Sequence, residues 1–285
     1  NFFFVSLHSK CKDMAAKKVL FINQEITPYV PESELSLLGK QLPYSIQEKG
    51  YEIRTFMPKW GNINERRGQL HEVIRLSRMM LIIDETDHPL IIKVASIPQT
   101  RIQVYFIDND DYFSKRQMEV DESGEEYPDN GERAVFFARG VLETVKKLRW
   151  VPDIIHCQGW MSAIIPFYIK TAYQDEPSFA NTKVITSLFS KELKNDLGEN
   201  LKRAIAYKNA QPGLLSKYKE TFDFLELGKM AIDYSDGIVE AEKEVNPILM
   251  RYAQDNGKPI MEYPGKEDFG EKYHQFYQQI CGSEE

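Results

Sequence analysis

The chain has 285 residues, enough to bury one large core or two modest ones without a disulfide or metal staple. Apolar residues make up 42% and charged residues 28%, and no apolar run nears the ~18–20 residues that cross a bilayer; this excludes a disordered chain and a helical membrane span. A net charge of −7 speaks against a nucleic-acid or anionic-membrane partner.

The opening stretch NFFFVSLHSKCKD, residues 1–13, has neither the basic start nor the small-residue cleavage site of a signal peptide. It reads as an upstream leader outside the fold, with a natural start near Met14 and the folded domain over 14–285. Cys11, Cys157 and Cys281 show no C-x-x-C spacing, which fits reduced thiols in a cytoplasmic protein.

Lys18 to Asn23, KVLFIN, reads as a buried strand. Ser33 to Lys49 reads as a helix, with Leu35, Leu38, Leu42 and Ile46 three or four apart and Gly50 as its stop. YEIRTFM is a second strand, and EVIRLSRMMLII, PLIIKVASI and RIQVYFI follow with short polar breaks, the pattern of hairpins. The acidic stretch 118–132, MEVDESGEEYPDNGE, carries turn residues and reads as a solvated loop. A long helix follows, with Ala134, Phe137, Val141, Leu142 and Val145 on one side. Then come a strand at Asp153 to Cys157, a helix opening near Gly159 and a strand at Lys183 to Leu188. A charged helical stretch is expected from Lys191 to Lys219, a helix from Phe222 to Tyr234 and a strand at Gly237 to Glu240. The end repeats the theme: a helix from Lys243 to Gln254, a strand KPIMEY and a tail helix from Lys266 to Ile280. Strands alternating with helices need right-handed crossovers, so the prediction is an α/β fold: a Rossmann-like, doubly wound parallel sheet with an antiparallel β insertion.

This architecture invites nucleotide motifs, yet no G-x-G-x-x-G occurs, and GKEDFGEK at 265–272 has Glu271 where a phosphate-loop lysine would stand. Ligands in such sheets lie at the carboxyl ends of the strands, here after Asn23, Cys157 and Leu188. His156 and Cys157 stand at one such end, but neighbours on a strand point to opposite faces, so they read as a packed histidine and a buried thiol. The histidines, His8, His71, His88, His156 and His274, show no metal-ligand spacing. Asp108, Asp110 and Asp111 follow a strand and read as turn formers. Tyr29, Trp60, Tyr112 and Trp160 lie near strand ends, where rings stack on sugars or, more commonly, fill the core. No catalytic residue, cofactor or metal site emerges from these residues.

Read together, KVLFINQEITPYV, LPYSIQEKGYEIRTFMPKWG, VYFIDNDDYF, YPDNGERAVFFARGVLETVKKLRWVPDIIHCQGW and FDFLELGKMAIDYSDGIVEA resemble the N-terminal half of bacterial glycogen and starch synthases, glycosyltransferase family 5. The first matches the family form K-(I/V)-L-F-V-x-x-E-x-x-P-(F/Y)-V, and the pieces run in family order from about Lys17 to about Glu242. The resemblance implies one half of a GT-B fold, in which two Rossmann-like domains face across a cleft. The first carries the acceptor side and the second grips ADP-glucose.

The departures bear on function. The family's K-T-G-G-L turn is Pro31, Glu32, Ser33, Glu34 and Leu35 here, which removes a cation and the close backbone approach and leaves two carboxylates that repel a diphosphate. The turn is expected to cap a helix. H-A-H-D-W becomes HCQGW, keeping His156 and Trp160 but placing Gly159 at the acid, and H-N-L becomes TSL, with Thr186 and Ser187. About 43 residues follow Glu242, too few for a second sheet with its donor-binding cations. Each tenfold in rate lost with them costs about 1.4 kcal/mol of transition-state stabilisation.

The resemblance therefore implies a relative of the ADP-glucose:α-1,4-glucan glucosyltransferases that does not transfer glucose alone. It would bind an α-glucan or a protein partner through cleft residues Glu25, Tyr29, Trp60, Tyr112, Asp129, Asn130, His156 and Trp160. The alternative is an active glucosyltransferase of glycogen biosynthesis, using the nucleotide sugar ADP-glucose, with its donor site completed by a second chain.

Overall fold

The computed structural model describes residues 17–282, so the expected leader, its start near Met14, Cys11 and His8 lie outside the described residues. In chain order the strands are β1 (Lys18–Asn23), β2 (Glu52–Pro58), β3 (His71–Glu72), β4 (Met79–Ile83) and β5 (Thr86–Ser96). They continue with β6 (Gln103–Asp108), β7 (Ile154–Gln158), β8 (Lys183–Leu188), β9 (Gly237–Glu240) and β10 (Ile260–Met261). The sheet order is β10-β9-β8-β7-β1-β2-β6-β5-β3, with β4 paired on β5. From β10 to β6 every pairing is parallel, while β5 runs antiparallel to β6, β3 and β4. The predicted antiparallel insertion beside a parallel sheet is this β3–β5 block.

Strand β1 sits at the centre and is apolar on both faces because helices cover both. The helix α1 (Glu34–Glu48) starts at a Ser33–Ser36 capping box: Ser33 Oγ accepts from Ser36 N at 3.0 Å and Ser36 Oγ from Ser33 N at 2.8 Å. Pro43 inside the helix has no N–H to give the Gly39 carbonyl, and Asn23 Nδ2 at the end of β1 donates to it instead, at 3.1 Å. A β-carbon at Gly39 would stand 2.2 Å from the Glu25 carbonyl oxygen, so only glycine lets α1 lie this close to the β1 end.

The short α2 (Glu65–Gly68) precedes the insertion. The long α3 (Asn130–Leu148) and α4 (Ile165–Lys170) join the larger core on one face of the sheet, with Phe136, Phe137, Phe167 and Tyr168 fully buried.

The predicted helical stretch from Lys191 to Lys219 is a correction: it holds only α5 (Leu201–Ala204) and a single 3-10 turn at Pro212–Leu215. Leu193, Leu197, Leu201, Ile205 and Leu215 are buried, but Gly198 at φ +98° and Pro212 break the helix that would otherwise join them. Beyond it, α6 (Phe224–Asp233), α7 (Pro247–Asp255) and α8 (Phe269–Cys281) fall close to their expected places, while the strand expected at KPIMEY shrinks to the two residues of β10. Helix α8 packs beside α1 on the other face, burying Tyr273, Phe276 and Tyr277 against Phe21 and Tyr51.

Candidate functional site

The carboxyl ends of β1, β7 and β8 meet under the start of α1, where a ligand would be sought. The crevice there is bordered by Gln24, Leu35, Trp160, Thr186, Leu188 and Lys191, and leaves a cavity of only about 30 Å³. That admits a water or two and no sugar ring.

Of the residues bordering it, Lys191 carries a charge, and it belongs to an ion cluster beside the crevice. Glu25, 3% exposed, meets Lys191 Nζ at 3.2 Å, and the same ammonium meets Glu119 at 2.5 Å. Burial pushes the Glu25 carboxyl above the usual carboxylate range in spite of the lysine. Burial also works against the Lys191 ammonium, but Glu25 and Glu119 together hold its pKa above the ordinary lysine value. A cation thus stands at the crevice, already shared between two carboxylates.

The turn from Pro31 to Leu35 caps α1 with its own serines, and the exposed Glu34 pairs with Lys266 at 3.1 Å. Gly159 has φ +90°, and a β-carbon there would lie 2.6 Å from Gln24 Oε1. The Gln24 side chain fills the space an acid at 159 would need, and accepts a hydrogen bond from Met161 N at 3.2 Å. Thr186 Oγ1 is bonded to Ser235 Oγ at 2.7 Å and Ser187 Oγ to His156 Nε2 at 2.6 Å, so both side chains are engaged within the protein.

The expected cleft residues other than Glu25 separate into three groups. His156 faces away from the crevice toward α8, with Nδ1 2.5 Å from the Tyr277 hydroxyl; burial alone drives its pKa down to about 3, so the ring is neutral. Cys157 points to the opposite face, fully buried, its thiol pushed up by burial. The rings of Tyr29, Trp60, Tyr112 and Trp160 are at most 8% exposed; Trp160 borders the crevice, while Tyr29 packs on Phe106, and Tyr112 packs beside His88 and Phe136. Trp60 Nε1 donates to the Gln24 carbonyl at 2.8 Å. Burial raises the Tyr29 phenol to about 12, and burial with Glu132 nearby raises that of Tyr112 further.

Asp129 and Asn130 open α3. Asp129 is held by both arms of Arg116, at 2.8 and 2.9 Å, and Asn130 Nδ2 donates to the Glu119 carbonyl at 2.9 Å. They anchor the acidic stretch 118–132, which is more than the solvated loop its composition implied. Glu119 meets Lys191, and the Glu126 carboxylate accepts from the backbone N–H groups of Lys194 and Asn195 at 2.6 and 2.8 Å. Beside this loop an open groove of about 430 Å³ is bordered by Asn62, Gln117, Glu119 and Asp121.

Three residues escaped the sequence reading. Arg133 is fully buried and donates to the carbonyls of Tyr112, Gln117 and Met118 and to Asn130 Oδ1, at 2.6 to 3.1 Å. Burial lowers its pKa to about 10. Its helical register with Asn130, Phe137 and Val141 was the available signal, a charge on the buried stripe of α3. Gln158, fully buried with neither amide atom bonded, and Lys191 left no comparable trace. Among the described residues no cluster of three or more His, Cys, Asp and Glu side chains could hold a metal ion.

The comparisons with known proteins bear on the family and the fold. The profile of the starch synthase catalytic domain family matches residues 18–254. The chain is 38% identical over 172 residues to the glycogen synthase of Chlorobium luteolum, covering 60% of this chain and 35% of that protein. It is 34% identical over 218 residues to the glycogen synthase of Pelodictyon phaeoclathratiforme, covering 73% of this chain and 45% of that one. The chain therefore spans less than half the length of these curated relatives. Among solved structures, the catalytic domain of starch synthase IV from Arabidopsis thaliana, bound to ADP and acarbose, superposes with a TM-score of 0.69 at 16% identity, over 87% of this chain and 51% of that one. At that identity the superposition speaks for the fold, and the profile match over most of the chain speaks for descent: this chain belongs to the starch synthase catalytic domain family, glycosyltransferase family 5.

Proposed function

We propose that this chain is a glycogen synthase-like relative that does not transfer glucose by itself and binds α-glucan at its acceptor side. The observation that carries the reading is the Glu25–Lys191–Glu119 bridge. A donor diphosphate needs free cations and free N–H groups, and here the crevice lysine is shared by two carboxylates while the α1 start is satisfied by its own serines. The exposed Glu32 adds a negative charge at the start of α1. The glucan is assigned to the open groove beside the Trp60 loop, where Asn62, Gln117 and Asp121 offer amide and carboxylate partners for sugar hydroxyls.

The test is glucose transfer from labelled ADP-glucose to glycogen, with a two-domain synthase run in parallel, together with co-sedimentation on glycogen. The expected result is no transfer above the buffer control and retention on glycogen that falls several-fold in Asn62→Ala. Transfer at a rate comparable with the two-domain enzyme overturns the non-catalytic reading, and retention no better than that of an unrelated α/β protein overturns glucan binding.

A second reading rests on Lys191 itself, which returns a cation to the strand ends beside Glu25. In it the chain is the acceptor half of an active ADP-glucose glucosyltransferase, its donor site completed by a second domain or chain. Transfer that appears only when a donor-domain polypeptide of a related synthase is added favours this reading.

A further inference from the structure

At the amino ends of β2 and β6, the opposite end of the sheet from the crevice, lies a polar cavity of about 290 Å³ lined by Glu52, Arg54, Ser96, Arg101, Gln103 and Tyr105. Arg54 is its centrepiece. The guanidinium carbon lies 5.8 Å from the centre of the Tyr105 ring and 5.3 Å from that of Trp150, and Nη1 donates to the Tyr105 hydroxyl at 2.6 Å. Its Nε is buried with no acceptor among the described residues. The arginine ion pairs among the described residues are those of Arg116, Arg203 and Arg251, so Arg54 and the exposed Arg101 across the cavity are in none. Glu52 is the cavity's carboxylate, and Trp150 Nε1 holds one of its oxygens at 2.6 Å.

A half-buried guanidinium has given up part of its hydration, and its planar fork suits an oxyanion better than it suits two aromatic faces alone. Two arginines against one carboxylate leave the cavity net positive in a chain whose overall charge is −7. The hydroxyls of Ser96 and Tyr105 and the Gln103 amide add neutral donors around the same space. We propose that this cavity is a binding site for a phosphate oxyanion, held by the guanidinium groups of Arg54 and Arg101. The oxyanion comes either free or as the phosphate of a monoester.

The test follows tryptophan emission and thermal melting of the full chain while inorganic phosphate replaces chloride at constant ionic strength. Glycerol phosphate serves as the monoester in a second arm. The expected result is a saturable change in emission, lost in Trp150→Phe, with a matching rise in Tm. Arg54→Gln weakens binding by about tenfold or more, Arg101→Gln by less, and Arg251→Gln on the exposed face of α7 leaves it unchanged. Tighter binding of glycerol phosphate assigns the site to a monoester, and tighter binding of inorganic phosphate to the free ion. A response that does not saturate, or one equal in Arg101→Gln and Arg251→Gln, overturns the proposal, and this comparison decides even if Arg54→Gln fails to fold.

Discussion

Gly159 holds the clearest case for a single residue deciding what the crevice can do. The sequence places glycine where the family has an acid, and the structure supplies the reason it must stay: φ is +90°, and a β-carbon would stand 2.6 Å from Gln24 Oε1 and 2.8 Å from Gln24 Cβ. Restoring the acid therefore cannot be a local repair. Gly159→Asp is expected to lose about 1–3 kcal/mol of stability without gaining glucose transfer. Urea midpoints give the first quantity and the labelled-donor assay the second. Gly159→Ala serves as the control and should lose a similar amount, because the clash begins at the β-carbon.

At the scale of elements, the acidic stretch 118–132 takes its shape from α3. Arg133 is buried in the first turn of that helix and holds three carbonyls of the preceding segment, those of Tyr112, Gln117 and Met118. Its guanidinium also stacks over Trp60, Phe113 and Tyr127 at 4.9 to 5.4 Å. Arg133→Met would leave those carbonyls without a donor in the protein interior, at about 1–3 kcal/mol for each that water fails to reach. The expected cost is about 3 kcal/mol or more, and hydrogen exchange of the 112–129 amides should accelerate well beyond that of β1 and β7. Glu119 of this stretch borders the groove and also meets Lys191, which borders the crevice.

For the whole molecule, α8 ties the end of the described chain to the centre of the sheet. Tyr277 bonds His156 on β7, the Tyr51 hydroxyl lies 2.8 Å from His274 Nδ1, and Lys49 pairs with Glu271 at 2.6 Å. The His156 ring faces Phe21, Tyr273, Tyr277 and Ser187, none of them a carboxylate, so nothing offsets the cost of charging it. In the unfolded chain a histidine takes up its proton near pH ~6.5, whereas this one resists until about pH 3. The unfolded state binds more protons between those values, so stability present above the unfolded pKa is lost as pH falls, by about 1.4 kcal/mol per unit. Glu25 acts in the opposite sense: its raised pKa makes stability fall as pH rises from the ordinary carboxylate value to the folded one. The histidine window is wide, and its slope should dominate between pH ~6.5 and the carboxylate range. His156→Gln is expected to be less stable at pH 7 but to lose less on going to pH 5, which urea melts at the two pH values will show.

Much of this was legible before any coordinates. The alternation of apolar runs and helical stripes placed β1, α1, β7, β8 and α6, because strands buried on both faces and helices with one apolar face leave those periods in the sequence. The turn from Pro31 to Leu35 was readable as one that packs or caps a helix, and Ser33 is the cap of α1. The segment from Lys191 to Lys219 misled because Leu193, Leu197, Leu201 and Ile205 recur every four residues, a helical period, while Gly198 at φ +98° stops the helix that this period implies. Lys191 was invisible as a site residue for a different reason: it lies 166 residues from Glu25 in the chain and meets it only because β1 and β8 end at the same crevice. The aromatic candidates looked equally suited to stacking on sugars or filling a core, and only their burial told the two apart. The sequence by itself determined the family, the layered sheet and the cap of α1, since these rest on local periodicity, capping and motif. Tertiary structure alone decided which cation borders the crevice, why a side chain at 159 meets Gln24 and where Arg54 stands with no counter-ion among the described residues, since each depends on groups that folding brings together from distant parts of the chain.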